Sequence, residues 1–313
     1  MISSIAPEFF KIIDAVIAKS PFQKKRLEQY LSAMDAPFFT RAEEFAIDYG
    51  RYLAGQGIPF EYAVNAYLEL CKSMLQYQIE FMKTGTYRAT DPHQAFAEVY
   101  SSPRRMKPYM IALALSQFLW STHYRIYLAF ERSILDNAAH IDSYLEIGPG
   151  HGLYLRKAIS YLKPGTDIHA VDISPVSIGI TKSIINYFYP NAVNVIFWTG
   201  DILAYNAPRR YDFITMGEVL EHVDNPDRLL SRLSALLSDS GKAFVTTSIN
   251  SPAADHVYHF KSVEDVTRMI SDSGLTILSE QVLPVETLPM DEIISRRITI
   301  NYCAEVKRAG SHA

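Results

Sequence analysis

Apolar and polar positions change their rhythm near residue 141. Before it, apolar residues recur about once per helical turn. The stretch IPFEYAVNAYLELCKSMLQYQIEFMK carries Tyr62, Ala66, Leu70, Leu75 and Ile79 in that rhythm. This predicts an amphipathic helix with those residues on its buried face. Pro59 suits its first turn and Gly85 its stop. PYMIALALSQFLWSTHYRIYLAFERSI predicts one long helix, apolar on nearly all sides and buried between layers. After residue 141, short apolar runs alternate with helical stretches. DSYLEIGP, DIHAVDIS, VNVIFWTGD, YDFITMG, KAFVTTSI, LTILSEQVL and RRITINYCAEV read as strands. LYLRKAISYL, SPVSIGITKSIINYF, PDRLLSRLSALLSD and SVEDVTRMISDSG read as helices between them. That alternation implies a doubly wound α/β domain, a parallel sheet with helices on both faces. The expected division is a helical domain over 1–140 followed by a nucleotide-binding α/β domain over 141–313.

Composition adds exclusions. Of 313 residues, 48% are hydrophobic and 20% charged, as in ordinary globular proteins. A formal charge of −4 gives no electrostatic case for nucleic acid. No apolar run has the length of a membrane span. The N-terminal MISSIAPEFFKIIDAV contains Glu8 and Asp14 and lacks a basic start and apolar centre, so no export signal is read. Cys71 and Cys303 are the only cysteines, which excludes a disulfide framework and a paired-cysteine metal site. The chain is read as cytoplasmic, without membrane or nucleic-acid partners. Its apolar N-terminal helices offer a face for a homodimer.

The chemistry gathers at LEIGPGHG, where a strand runs into Gly148, Gly150 and Gly152. Glycine permits positive φ and lets a ligand approach the backbone. The next helix directs its positive end at the loop. Glu146 lies two residues before the first glycine, and Asp172 ends the next strand. The dinucleotide pattern GxGxxG would need glycine at 153, where the chain has Leu153. An acid at the end of the loop's strand also suits a cationic amino acid better than a pyrophosphate.

LEIGPGHG, VDIS, TGDIL and YDFITMGEVLEHV, in that order, resemble the successive motifs of class I S-adenosylmethionine-dependent methyltransferases. The resemblance covers about residues 141–307 and implies a Rossmann-like sheet with S-adenosylmethionine as cofactor. It implies that Glu146, with the backbone of Gly148 and Gly150, meets the methionine part of the cofactor. Asp172 would take the ribose hydroxyls, and Ile173 would pack on the adenine. Asp201 with Ile202 would accept from the adenine amino group. Gly217, Glu218 and Val219 would end the fourth strand beside the sulfonium.

The acceptor side is read less directly. Glu218, Glu221 and His222 follow the fourth strand, and His222, with Glu218, is the candidate for catalysis as a general base. LEHV is equally read as a structural or substrate-side element. His256 and His259 could join His222 in a three-histidine metal site, but lone histidines are usually satisfied polar groups and no metal is assigned. The absence of an NPPY-like sequence, where MGEV stands, argues against methylation of nucleic-acid bases. The helical half is expected to form a lid lined by Tyr67, Tyr77, Phe81, Tyr87, Tyr109, Phe118, Trp120, Tyr124 and Tyr127. Rings there would either be plain core or face the sulfonium. Trp120, His123, Tyr124 and Arg125 are the expected substrate contacts. SPRRMKPY, with Arg104, Arg105 and Lys107, is read as a solvated basic turn or a clamp for a substrate carboxylate. The leading expectation is methyl transfer to a small metabolite. A second is cyclisation of the cofactor's aminobutyrate arm to azetidine-2-carboxylate and methylthioadenosine. A third is a cofactor-binding module without turnover.

Overall fold

The computed structural model describes residues 5–88, 91, 100, 102–190 and 195–310. Within them the chain forms α1 (Pro7–Lys19), α2 (Gln23–Ser32), α3 (Ala36–Gly55), α4 (Phe60–Thr84), α5 (Pro103–Leu119) and α6 (Ser121–Asn137). The α/β part then runs β1 (Ser143–Ile147), α7 (Leu153–Tyr161), β2 (Asp167–Asp172), α8 (Pro175–Phe188), β3 (Val195–Thr199) and β4 (Tyr211–Gly217). It ends with α9 (Pro226–Leu236), β5 (Leu237–Ile249), α10 (Val263–Asp272), β6 (Leu275–Pro284), α11 (Met290–Ser295) and β7 (Ile300–Arg308). Each expected strand forms, although Val193 and Asn194 of VNVIFWTGD lie outside the described residues, as does the MISS start of the N-terminal stretch. Among the described residues, no helix is long and apolar enough to cross a membrane.

These residues pack as two compact units, Met1–Ser73 with Pro108–Tyr124, and Met74–Lys107 with Arg125–Ala313. The sequence changes texture at 141, whereas packing divides α4, α5 and α6 between the units. In the first unit Phe38 is fully buried. The rings of Phe9, Tyr30, Phe39 and Tyr124 meet it nearly edge-on at 4.8–5.8 Å, a favoured aromatic geometry. Asp35 starts α3 by accepting from the Phe38 N–H at 3.0 Å. The N-terminus of α1 has no cap of its own. Glu43 of α3 supplies it, accepting from the Glu8 and Phe9 N–H groups at 3.2 and 3.0 Å.

Three expectations about the helices are corrected. Of the α4 face named from periodicity Leu70 is buried, but Tyr62, Leu75 and Ile79 are each more than two-fifths accessible; Ala63, Val64, Tyr67 and Phe81 are buried in their place. The long apolar helix is two, broken at Trp120. There the Ser116 hydroxyl donates back to the Leu113 carbonyl and meets His123 Nδ1, both at 2.7–2.8 Å, so side chains compete with the helix's own bonds. Finally, α5 begins at Pro103, so Arg104, Arg105 and Lys107 are exposed residues of a helix rather than of a turn.

The second unit is built on one sheet in the order β3-β2-β1-β4-β5-β7-β6. Neighbours from β3 to β5 run parallel, and β7 lies antiparallel to both β5 and β6. Strand β1 is buried along its whole length, as a strand covered on both faces must be. Chain order reverses between β1 and β4, and in such sheets the crevice beyond the strand ends receives ligands. Capping side chains set two of the helices beside the strands. Ser174 accepts from Ser177 N–H ahead of α8, and Ser262 from Asp265 N–H ahead of α10.

One carboxylate fixes β1 against β4. Asp212 Oδ2 accepts from the Asp142 and Ser143 N–H groups at 3.1 and 3.0 Å and from the Ser143 hydroxyl at 2.8 Å. Its Oδ1 accepts from the Ser238 hydroxyl at 3.0 Å. Asp212→Ala leaves these donors without a partner and should lower unfolding free energy by about 2–3 kcal/mol. Urea denaturation measures this; a loss below about 0.5 kcal/mol would show that the carboxylate is no strut.

Candidate functional site

The loop after β1 turns on three left-handed glycines, Gly148, Gly150 and Gly152, with φ of 69°, 54° and 74°. Two of them also have no room for a side chain. A Cβ on Gly148 would stand 2.6 Å from Val219 Cγ2, and one on Gly152 would stand 3.0 Å from the Thr181 Cα. Bare backbone therefore lets the loop after β1 touch both the turn after β4 and the body of α8. The carbonyl of Gly150 accepts from the Thr181 hydroxyl at 3.1 Å, which holds the loop in that position.

Helix α7 starts at Gly152 without a conventional side-chain cap. Two neighbours meet its open N–H groups. His151 Nδ1 accepts from the Leu153 N–H at 3.1 Å, and the Glu146 carboxylate accepts from the Leu155 N–H. Glu146 also accepts from the Tyr144 hydroxyl at 2.7 Å and is 3% exposed. Burial pushes its carboxyl up to about 8 against these two donors. Burial likewise pushes the His151 imidazole down to about 4, which keeps Nδ1 free to accept. His151 was not singled out in the sequence; its only signal was a lone histidine inside a glycine loop.

At the end of β2, Asp172 Oδ1 accepts from the Ser174 N–H at 2.8 Å. Burial raises this carboxyl, while Ser174, Ser177, the Gly150 N–H and His222 oppose the shift. The Gly200 N–H donates to the Asp172 carbonyl at 2.9 Å and joins the ends of β2 and β3. Ile173 is half exposed, and Ile202 is buried. Asp201 is exposed and accepts from the Leu203 N–H at 2.9 Å.

At the end of β4, Gly217 is followed by Glu218, a non-glycine residue with φ of 50°. Thr246 over-determines that conformation. The Glu218 N–H donates to the Thr246 Oγ1 at 2.9 Å and to its carbonyl at 3.2 Å. The Thr246 hydroxyl in turn donates to Glu218 Oε1 at 2.7 Å. Val219 then meets Gly148, and a single 3-10 turn carries Leu220, Glu221 and His222. Glu221 is fully buried and accepts from the Thr247 hydroxyl at 2.8 Å. His222 Nδ1 faces the Asp255 carbonyl at 3.0 Å and the Tyr100 hydroxyl at 2.8 Å, while that hydroxyl donates to Asp255 Oδ2 at 2.7 Å. Tyr100 and Asp255 escaped the sequence reading, because nothing in their spacing relates them to His222.

The second unit thus holds Glu146, Gly148, Gly150, Asp172, Ile173, Asp201, Ile202, Gly217, Glu218, Val219 and His222 on the ends of β1 to β4. The expected substrate group is divided. Trp120, His123 and Tyr124 belong to the first unit and Arg125 to the second. Trp120 Nε1 donates to the Tyr67 hydroxyl at 3.0 Å. Four of the expected lid rings, Tyr77, Phe81, Tyr87 and Tyr127, belong to the second unit, and Phe81 and Tyr87 pack on His259 at 5.1 and 4.6 Å. His259 Nε2 is engaged by Asn250 Oδ1 at 2.8 Å.

Similarity to known proteins agrees with this geometry. A family profile described as a methyltransferase domain matches residues 121–280. Ubiquinone biosynthesis O-methyltransferase of Coxiella burnetii is 27% identical over 194 residues, which span 56% of this chain and 79% of that protein. Among solved structures, the mitomycin 7-O-methyltransferase MmcR superposes with a TM-score of 0.52 at 16% identity, covering 88% of this chain and 74% of that one. The N-methyltransferase NodS from Bradyrhizobium japonicum WM9, solved with S-adenosyl-L-homocysteine, superposes with a TM-score of 0.50 at 14% identity over 69% of this chain and 98% of that chain.

Glu146 gives a test of the loop's electrostatics. Its carboxyl is raised in the folded state, so its contribution to stability is full below the unfolded value of 4.5 and is lost as pH rises through about 8. Glu146→Gln should flatten that part of the stability–pH curve. A side-chain carbonyl NMR titration of the unliganded protein should find a midpoint near 8 that the variant lacks; a midpoint near 4.5 would refute the buried, cation-free environment.

Proposed function

The chain belongs to the methyltransferase domain family, and from that membership we propose that it transfers the S-adenosylmethionine methyl to an oxygen of a small-molecule acceptor. S-adenosylmethionine is the cofactor, and the protein is a methyltransferase. The choice of oxygen rests on the Coxiella relative, named an O-methyltransferase. One observation carries the assignment of the site. Gly148 abuts Val219, and the Gly150 N–H donates to the Asp172 carboxylate, so the glycine loop, the β2 acid and the β4 turn face one crevice.

Within that crevice the cofactor roles follow from chemistry. The Gly148–Gly150 backbone accommodates the methionine part. Glu146, a buried carboxyl with no cation beside it among the described residues, is the group an ammonium would satisfy. Asp172 offers a carboxylate to two neighbouring ribose hydroxyls. Ile173 presents half of its apolar side chain for the adenine, and Asp201 with Ile202 lies beside it for the exocyclic amine. Gly217, Glu218 and Val219 line the sulfonium end, where a carboxylate favours positive charge. Glu218 and His222 are the catalytic candidates on the acceptor side. Trp120, His123, Tyr124 and Arg125 stay candidates for acceptor contacts.

The chemistry requires a lone pair on the acceptor oxygen in line with the methyl–sulfur bond. A carbon–oxygen bond forms, the carbon–sulfur bond breaks with its electrons going to sulfur, and the hydroxyl proton leaves. Excluding water and fixing this line are the protein's main contributions.

Mass spectrometry of the protein with S-adenosylmethionine and a small-metabolite extract should show S-adenosylhomocysteine and a methylated metabolite. Both should be absent without extract. Methylthioadenosine formed without extract would overturn methyl transfer in favour of cyclisation. Asp172→Ala should weaken cofactor binding about 10- to 100-fold, the loss of one or two charged hydrogen bonds. Equal affinity by calorimetry would remove the ribose assignment. Cofactor binding at neutral pH should also release about one proton from Glu146, read as a dependence of binding heat on the buffer's ionisation enthalpy. Heat independent of buffer would detach Glu146 from the ammonium.

A further inference from the structure

Behind the turn after β4, the second unit holds three acidic groups with no Lys or Arg partner among the described residues. Glu221 and Asp255 are fully buried, and Glu218 lies beside Glu221. Two imidazoles join them. The rings of His222 and His256 stand 4.8 Å apart, nearly perpendicular. One carboxylate oxygen of Glu221 and one ring nitrogen from each histidine lie within 4.8 Å of one another. Metal–ligand bonds of about 2.1 Å set ligands about 3.4 Å apart at tetrahedral angles. The three atoms therefore need to close in by no more than about 1–1.5 Å around an ion.

The hydrogen bonds of the two rings decide which nitrogen is available. His256 Nδ1 lies 2.6 Å from the Ser251 carbonyl, which can only accept, so Nδ1 carries the proton. With the proton on Nδ1, the lone pair of the neutral ring lies on Nε2. His222 Nδ1 faces the Asp255 carbonyl at 3.0 Å, which selects the same tautomer. Neither Nε2 hydrogen-bonds to a described residue. Glu221 is steadied from behind by the Thr247 hydroxyl at 2.8 Å and the Ser248 hydroxyl at 3.5 Å. Metal-binding histidines characteristically donate Nδ1–H to a carbonyl or carboxylate, and ligating carboxylates are themselves hydrogen-bonded. All three side chains here have that support.

We propose that Glu221, His222 and His256 bind a divalent first-row transition-metal ion of the zinc class, with a remaining coordination position for the acceptor oxygen. Two imidazoles and one carboxylate favour zinc over magnesium or calcium, which prefer all-oxygen shells. His259, the third histidine of the sequence reading, is replaced by Glu221, because Asn250 and Tyr87 already engage it. The inference rests on the methyl-transfer reading for its role. The ion lowers the pKa of a bound hydroxyl, whose proton passes to water before the oxygen attacks the methyl carbon. His222 then acts as a ligand rather than as a free base.

The test uses the tag-free full chain, stripped with chelator, and Co²⁺ as the probe, without cofactor. About one Co²⁺ per chain should bind with a visible ligand-field band, and Zn²⁺ should displace it. His256→Ala and Glu221→Gln should each weaken Co²⁺ binding by about tenfold or more. Because buried variants can fail to fold, the wild-type imidazole ¹⁵N spectrum is the second readout. Stoichiometric Zn²⁺ should shift Nε2 of two histidines while Nδ1 stays protonated. Absence of stoichiometric Co²⁺, unchanged affinity in folded variants, or unshifted imidazoles under Zn²⁺ overturns the proposal. The product assay separates this from the methyl-transfer reading. S-adenosylhomocysteine formed by a chain that binds no Co²⁺ removes the metal alone. Co²⁺ bound by a chain that yields no methylated product removes the transfer alone.

Discussion

The contact between Gly148 and Val219 is the constraint on which the site depends. Strands β1 and β4 are neighbours, and the chain leaves both at the same edge of the sheet. Any side chain at 148 would displace Val219, whose Cγ2 stands 2.6 Å from where its Cβ would be, and would strain a backbone held at a φ of 69°. With glycine there, the turn carrying Glu218 to His222 closes over the cofactor loop. The parallel order of β3, β2, β1 and β4 then sets the remaining acids in a row along that edge. Each is one strand away from the next, which is the arrangement the proposed site requires.

Electrostatics sets this edge apart from the rest of the sheet. Glu146 and Glu221 are buried carboxyls and Asp172 is a half-buried one, each raised above its ordinary value chiefly by desolvation. A fold selected for stability alone would neutralise or remove such groups. Here they persist without Lys or Arg partners among the described residues. Such an environment favours a cationic ligand, which is what the proposed cofactor and metal assignments supply. The donors that remain, Tyr144 for Glu146 and Thr247 for Glu221, orient the carboxylates without satisfying their charge.

The sequence revealed what is local. Strand length, the glycine spacing and an acid at each strand end are all written within ten residues, and they translate directly into β1, β2, the loop and Asp172. Pro175 and Ser174 marked the start of α8 in the same way. What was not legible depends on distant partners. The face of α4 that is buried is set by what packs on it, and Tyr62, Leu75 and Ile79 satisfy a helical period while facing water. The break at Trp120 needs Ser116 and His123 to meet across a turn. The group around His222 draws Tyr100 from far upstream and Asp255 and His256 from beyond β5, with only hydrogen bonds and packing relating them. Packing also assigns Phe81 and Tyr87 to the α/β unit, although the rhythm around them is wholly helical.

Glu218 holds a left-handed backbone that a side-chain-bearing residue adopts at a cost of about 1–2 kcal/mol. Glycine at this position would relax the chain and delete the carboxylate in one step. Under the role proposed for Glu218, selection for robustness and selection for chemistry pull in opposite directions at a single codon. Descendants released from the reaction should drift there toward glycine or asparagine, while those still under catalytic selection keep the acid and bear the strain. The residue at 218 can thus be read across homologues as a record of which lineages have kept the chemistry.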